Sequence, residues 1–556
     1  CQYIFPFTFL DLSARMKDMK ETIQEVLKDA LRTLAVGDEV LFEVTFPKDD
    51  SHGDYVSSVA LSLAGRLKRS PLDIAHALEE QLSKDDRLKH CTIEVAPPGY
   101  INISLTPEAL SDVVAEIGEE RNEYGSGVCG NQHKTLLEFI SANPTGPLHI
   151  GNARGGFFGD TLSRILKKCG GSVSTEYYVN DAGEQVAKLG HSVLKDAEAV
   201  YGGEYIDRLN ERLAAQQDGV DTADPRAVGE WAGRIVLEEY IQKTVSERMG
   251  ISFDTFVSEK KDIVEAGYVD RAIALFKEKE LTYEEAGALW LRTTMYGDDK
   301  DRVLVKANGE KTYFASDCGY LLHKKERGFE RIIEVWGADH HGYVVRFRAA
   351  AEALGFSRDC VRFTLVQLVR LVKDGKEVRM SKRAGNVVTV DELLDRIDPE
   401  VVRFFFLMYS PDTHMNFDMG LAEERSQKNP VFYVQYAHAR MASIFRKVEE
   451  LFGIHLFERI TRDEIQLHAP KELLLARHLA KFPELLRVAA ETNTVHQLPQ
   501  YAIRLADLFH SFYDACVVLD AENMPVTRSR LALVGATKNV LAETLRLLGI
   551  SAPEKM

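Results

Sequence analysis

Residues 135–179 constrain the fold more than any other stretch. Thr135 to Ile140 is a short apolar run that reads as a strand. Asn143-Pro144-Thr145-Gly146-Pro147 then breaks regular structure. A helix is expected from about Asn152 to Cys169, stopped by Gly170-Gly171, and Ser174 to Val179 reads as a second strand. Strand, turn, helix, strand is the opening βαβ unit of a doubly wound parallel sheet. The turn ends in Pro147-Leu148-His149-Ile150-Gly151-Asn152. Free N–H groups of the first helical turn face phosphate there, and Gly151 lets a purine or a phosphate lie against bare backbone. His149 and Asn152 add side-chain donors. More than two hundred residues later comes Arg379-Met380-Ser381-Lys382-Arg383, set between the turns Lys373–Lys376 and Ala384–Asn386. A basic, Gly-flanked loop suits a reaction that builds charge on departing pyrophosphate. The two phrases read as halves of one nucleotide site.

The rest of the chain arranges itself around this unit. Met16 to Pro107 reads as a small α+β unit, with strands on either side of Pro97-Pro98-Gly99. Residues from about 181 to 300 look like a charged, mainly helical insertion. Arg302–Val305, Ile332–Trp336 and Phe363–Val366 are expected to resume the sheet. From about Asp398 onward the pattern is almost entirely amphipathic helix. The expected fold is therefore multidomain α/β: a small α+β N-terminal domain (16–120), a Rossmann-like doubly wound parallel-sheet catalytic domain (130–397) with a helical insertion, and an all-α C-terminal helical bundle (398–556). Cys1 to Arg15 precede Met16 and Met19 and are read as an expression-derived or mis-started leader.

Bulk properties exclude some functions. At 556 residues the chain is long for one core. A net charge of −16 argues against a generic nucleic-acid binder. Val431 to Met556, however, carries 15 Lys plus Arg against 14 Asp plus Glu, leaving −17 on the remainder. A near-neutral C-terminal part can still offer RNA a local basic face. The seven cysteines are scattered, with no C-x-x-C pair, as expected of reduced thiols. No apolar run approaches the ~18 residues of a membrane span.

Two more clusters carry chemistry. Trp336-Gly337-Ala338-Asp339-His340-His341-Gly342-Tyr343 follows a buried-looking strand. Adjacent histidines point opposite ways on extended chain and no other His or Cys lies at ligand spacing, so a nucleotide or substrate wall is preferred to a metal site. Tyr313 and Asp317 share a helix face. Asp317 with Glu138 would offer two carboxylates to one cation, which a guanidinium matches bidentately.

On these residues the sequence resembles class I aminoacyl-tRNA synthetases, and closely the arginyl-tRNA synthetases. Glu138 to Asn152 looks like the first signature of that family, Trp336 to Tyr343 its mid-domain segment, and Arg379 to Asn386 its second signature. Asn429 to Arg440 resembles the start of its anticodon-binding domain. His52-Gly53-Asp54-Tyr55 and Pro98-Gly99-Tyr100-Ile101-Asn102 are similar to its extra N-terminal domain. Two positions depart from the pattern: Asn152 replaces the first signature's final His, and Arg379 the second signature's first Lys. The resemblance implies ligation of L-arginine to its tRNA through an arginyl-adenylate, with ATP as substrate, Mg2+ on its phosphates and no metal site in the protein. It implies that tRNA must be bound before the first step. It implies catalysis by His149, Asn152, Lys382, Ser381 and Arg379. It places ATP against Pro147, Gly151, Gly337, Asp339, His340 and Met380, and arginine against Glu138, Asn143, Tyr313 and Asp317. Tyr433, Tyr436, His438 and Arg440 are anticodon candidates by type, with helix packing as the competing role. A cytoplasmic monomer without membrane contact is expected. Other readings are another class I synthetase, a small nucleotidyltransferase, or a catalytically silent RNA-binding relative.

Overall fold

The computed structural model describes residues 19–34, 40–47, 49, 52–130, 133–215, 219–378, 388–452 and 460–556. The expected leader, and Arg379, Met380, Ser381 and Lys382 of the second signature, lie outside the described residues.

The N-terminal unit is an antiparallel sheet covered by helices. Strands β1 (Val44–Thr45), β2 (Tyr55–Ser57), β3 (Cys91–Ala96) and β4 (Tyr100–Leu105) lie in the order β1-β2-β4-β3. The helix Pro71–Leu82 starts where Ser70 Oγ accepts from the Asp73 N–H and proline fills the first turn. Helix Pro107–Glu120 begins the same way on Thr106. It ties this unit to the C-terminal helices. Ser111 Oγ accepts from Leu467 N at 3.2 Å, and Arg462 pairs with Asp112 at 3.3 Å and Glu119 at 3.0 Å.

The central layer is a parallel sheet of β5 (Thr135–Glu138), β6 (Val173–Val179), β7 (Thr255–Ser258), β11 (Arg331–Gly337) and β12 (Val361–Val366). Its order is β12-β11-β5-β6-β7. The chain winds outward from β5 to β7, then crosses back to β11 on the other side of β5. The crevice beyond the carboxyl ends of β5 and β11 is thus the topological switch point, where such sheets bind ligands.

Beside its helices the span 181–300 contains β7 and the strands β8 (Thr282–Glu285) and β9 (Ala288–Leu291). One expectation changes here. Arg302–Val305, now β10, leaves the parallel sheet and pairs antiparallel with β9. Nearby hairpin partners win over a distant parallel edge because local pairing closes a shorter loop. A last small sheet joins β13 (Val369–Lys373), β14 (Lys376–Glu377) and β15 (Met415–Asp418).

The C-terminal region packs the helices Pro430–Phe452, Pro470–Ala480, Phe482–Thr492, Gln497–Ala515 and Met524–Leu548 around Phe482, Phe509 and Phe512, all fully buried. It is tied to the helix Ile150–Lys168, which packs on the parallel sheet, through Arg403, buried at 3% exposure, which pairs with Asp160 and donates to the Leu548 carbonyl. Among the described residues no helix is long and apolar enough to cross a membrane.

Candidate active site

The first signature sits in the crevice. Ile140 and Ser141, directly after β5, hold φ of 69° and 37°, a left-handed kink that L-residues adopt at some cost. Asn143 is exposed beyond it, and Pro147 lines the turn into helix Ile150–Lys168. His149 caps that helix: its Nδ1 accepts from Gly151 N at 3.1 Å, and Asn152 Oδ1 accepts from His149 N at 3.1 Å. Nδ1 being the acceptor, the neutral ring carries its proton on Nε2. Loss of water in the cleft holds the His149 pKa below its usual value, and Asp339 opposes the shift. The site therefore presents an uncharged N–H donor beside the positive end of a helix. Asn152 spends its oxygen on the cap and keeps its amide donor.

The chain leaving the second signature returns to this point. Ile150 N donates to Val388 O at 3.3 Å, Val390 N donates to Leu148 O at 2.8 Å, and His149 bridges Thr389. Val388, Thr389 and Val390 thus lie against the terminus of the signature helix. Arg154, one turn into the signature helix, is buried and among the described residues bonds main-chain oxygens alone: Gln367 and Thr413 at 2.9 Å and Ser410 at 2.8 Å. Burial pulls its pKa down to about 10, which Asp412 partly opposes. On the other wall, β11 ends at Gly337, and the exposed Asp339 and His340 follow, with His340 edge-on to Trp336.

Beside the crevice lies an acidic pocket. Asp317 is buried and accepts from the Tyr343 hydroxyl. Burial pushes its pKa up to about 8, Tyr343 opposes, and the nearby carboxylates of Glu259 and Glu138 raise it further. Glu259, 4% exposed, is also raised by burial, against hydrogen bonds from Ser316 and Tyr178. With the Asn180 amide oriented to satisfy its neighbours, its nitrogen donates to Glu259 Oε2 at 2.9 Å and Ala182 O at 3.1 Å. Tyr313, 57% exposed, stands at the mouth. Glu138 lies deeper: Oε1 accepts from Ser141 Oγ at 2.9 Å, and Oε2 from Lys324 Nζ at 2.6 Å and Tyr320 Oη at 2.7 Å. Sequence reading missed Glu259, which sits in the charged run Ser258-Glu259-Lys260-Lys261-Asp262 and looks there like a solvated face.

The four C-terminal candidates separate. Tyr433, Tyr436 and Arg440 share one face, where Tyr433 Oη donates to Asp507 at 2.7 Å, Tyr436 stacks on His510, and Arg440 lies over Tyr513. His438 points the other way, 2% exposed, with Nδ1 2.8 Å from the Pro553 carbonyl.

The chain is 41% identical over 93% of its length to an arginine–tRNA ligase of Listeria monocytogenes, covering 94% of that protein. The chain belongs to the arginyl-tRNA synthetase family. An arginine–tRNA ligase of Symbiobacterium thermophilum is 40% identical, covering 97% of this chain and 100% of that one. Three family models match in order: the arginyl-tRNA synthetase N-terminal domain over 17–105, the class I (R) tRNA synthetase catalytic domain over 219–402, and the DALR anticodon-binding domain over 434–556. The solved structure of Thermus thermophilus arginyl-tRNA synthetase superimposes with a TM-score of 0.75 at 25% identity, over 97% of this chain and 100% of that one. A methionyl-tRNA synthetase of Mycobacterium tuberculosis shares the fold at a TM-score of 0.53 and 13% identity.

Proposed function

We infer that this synthetase-family chain is an arginine–tRNA ligase, and we propose how its residues divide the work. The observation that carries the reading is the acidic pocket. Asp317 and Glu259 lie close together and out of water, with Tyr313 at the mouth. What such a site lacks is a cation of fixed shape. A guanidinium satisfies two carboxylates at once. Lysine brings charge without the planar fork, and citrulline brings the shape without charge. Glu138 contributes field from below, and Asn143 is assigned the substrate α-amino group.

The arginine carboxylate oxygen attacks the α-phosphorus of ATP, used as its Mg2+ complex. The bond from that phosphorus to the α,β-bridging oxygen breaks, and pyrophosphate leaves with the electron pair. His149 Nε2–H and the Asn152 amide donate to the α-phosphate as charge spreads over it. Pro147, Gly151, Gly337, Asp339 and His340 form the nucleotide wall. Lys382 is assigned the main cationic role on pyrophosphate, assisted by Arg379, Ser381 and Met380. The 2′-hydroxyl of the terminal adenosine of the tRNA then attacks the adenylate carbonyl, loses its proton and displaces AMP. Tyr433, Tyr436 and Arg440 suit contact with unstacked anticodon bases. A cytoplasmic monomer completes the proposal.

Aminoacylation of a mixed tRNA pool, with the esterified amino acid then identified, tests it. Arginine on its own isoacceptors is expected, as is pyrophosphate exchange that needs tRNA. Exchange with cysteine or glutamate but not arginine would overturn the reading.

A further inference from the structure

Three glutamates stand shoulder to shoulder in the centre of the parallel sheet. Glu334, Glu138 and Glu176 are Cα partners across β11, β5 and β6. Adjacent strands lie about 4.8 Å apart, so like charges at one register repel. All three are buried, at 1%, 5% and 0% exposure. Such a row persists only if something opposite compensates it.

The compensation is one stripe of the helix Tyr313–Glu326. Residues 313, 317, 320 and 324 fall on one face at helical spacing. The first two look into the acidic pocket; the last two meet the glutamates. Lys324 Nζ, with no exposed surface, donates to Glu138 and Glu334, each at 2.6 Å. Burial opposes its charge, but Glu138, Glu334 and Glu176 outweigh that and hold its pKa above the usual value. Arg327, just past the helix, grips Glu176 at 2.5 and 2.9 Å. Tyr320 Oη lies 2.7 Å from Glu138 and 2.6 Å from Glu176.

Tyr320 also acts through its ring, stacked on Tyr178 with centroids 4.1 Å apart. Tyr178 N donates to Ser141 Oγ at 3.0 Å, Ser141 donates to Glu138, and the Tyr178 side chain opposes the burial that raises the Glu259 pKa. The contacts close a circle: Tyr320, Glu138, Ser141, Tyr178 and back to Tyr320. Both carboxylates that flank Asp317 hang from this circle, and so does the left-handed kink at Ser141 that leads to Asn143.

We propose that Tyr320 is a positioning residue for arginine: its hydroxyl sets Glu138 and its ring sets Tyr178, and through them Glu259 and the Ser141 kink. The proposal rests on the reading that the guanidinium lies at Asp317. Tyr320 touches no substrate itself. A phenol has one proton and cannot donate to Glu138 and Glu176 at once. Removing it leaves two buried carboxylates at one register with less to hold them apart.

The test is Tyr320→Phe, which keeps the ring and its volume, measured by arginine-dependent pyrophosphate exchange with tRNA present. The arginine KM is expected to rise about tenfold, the size of one charge-assisted hydrogen bond, while the ATP KM stays within about twofold of wild type on the same scale. The pH at which arginine KM levels off should move upward, since Glu138, no longer held by the phenol, adds with Glu259 to the charge that raises the Asp317 pKa, against Tyr343 and Lys324. Tyr178→Phe, which keeps the stack but removes the hydroxyl that lowers the Glu259 pKa, should also raise arginine KM. A lowered Tm with both KM values and the pH profile unchanged would mean structural cement only and would overturn the proposal. Wild-type enzyme that charges no arginine would instead overturn the functional reading.

Discussion

Asp317 offers a measurement in which pH and affinity must move together. Burial pushes its pKa up to about 8, Tyr343 opposes, and Glu259 and Glu138 add to the rise. At pH 7 the carboxyl therefore holds its proton in most molecules. A bound guanidinium favours the ionised form, so arginine binding must release that proton. Each pH unit below 8 weakens apparent arginine affinity by about 1.4 kcal/mol. Arginine KM should fall about tenfold per unit from pH 6.5 to 8 and then level off. Asp317→Asn is close in shape to the protonated acid and cannot ionise. Its arginine KM should be flat over the same window. On the alkaline plateau it should exceed wild type by roughly 30- to 150-fold, from the loss of about 2–3 kcal/mol in hydrogen bonds to a charged group. At pH 7 the gap should shrink about tenfold, because wild type there carries the protonation cost. The assay is arginine-dependent pyrophosphate exchange at saturating ATP and tRNA, with ATP KM as the control. Stability gives the same sign: the folded state keeps a proton that the unfolded chain loses near pH 4, so stability should fall as pH rises from about 4 to 8, and Asp317→Asn should lose that slope. A wild-type arginine KM independent of pH, with Asp317→Asn already impaired by its full factor at pH 7, would refute the reasoning: Asp317 would be ionised in the free enzyme.

Gly549→Ala should lower Tm by several degrees. Its φ is +72° and a Cβ there would lie 2.4 Å from Arg403 Cζ, so left-handed strain of about 1–2 kcal/mol adds to overpacking; unchanged calorimetric melting would show that the Arg403 joint yields freely. Tyr436→Ala should raise the tRNA KM with little effect on Tm, whereas His438→Ala should lower Tm and leave tRNA KM near wild type; the reverse pattern would show that the two helix faces have been assigned the wrong way round. Lys382→Ala should cut adenylate formation by orders of magnitude in single-turnover assays while tRNA affinity, read by filter binding, stays close to wild type; normal turnover would remove Lys382 from the chemistry.

Much of this was legible in the chain. The strand, the Pro/Gly break and the helix of residues 135–169 are local signals, and local signals place His149, Gly151 and Asn152 at a helix terminus in the structure as well. The stripe of Tyr313 and Asp317 followed from helical spacing alone. What was hidden depends on register between distant segments. Residues 138, 176 and 334 share no motif; they meet only because β5 lies between β6 and β11 at one particular offset. Glu259 was hidden for another reason, since five polar residues in a row look like a solvated surface whichever of them turns inward. Arg302–Val305 has the composition of a parallel core strand, but hairpin closure with β9 decides its partner. His438 could not be told from Tyr436 by residue type, only by which side of the Pro430–Phe452 helix meets the C-terminal tail.

Arg154 has a consequence for sequence drift. It grips Gln367, Ser410 and Thr413 only through their carbonyl oxygens, and a carbonyl is the same whatever side chain it carries. Those three positions are therefore free to change identity without loosening the grip, provided the backbone path survives. Position 154 has no such freedom: three acceptors in different directions suit a guanidinium fork, and a lysine could meet them only with one flexible point charge. Variation among related chains should thus be lopsided at this joint, with a fixed arginine facing partners that wander.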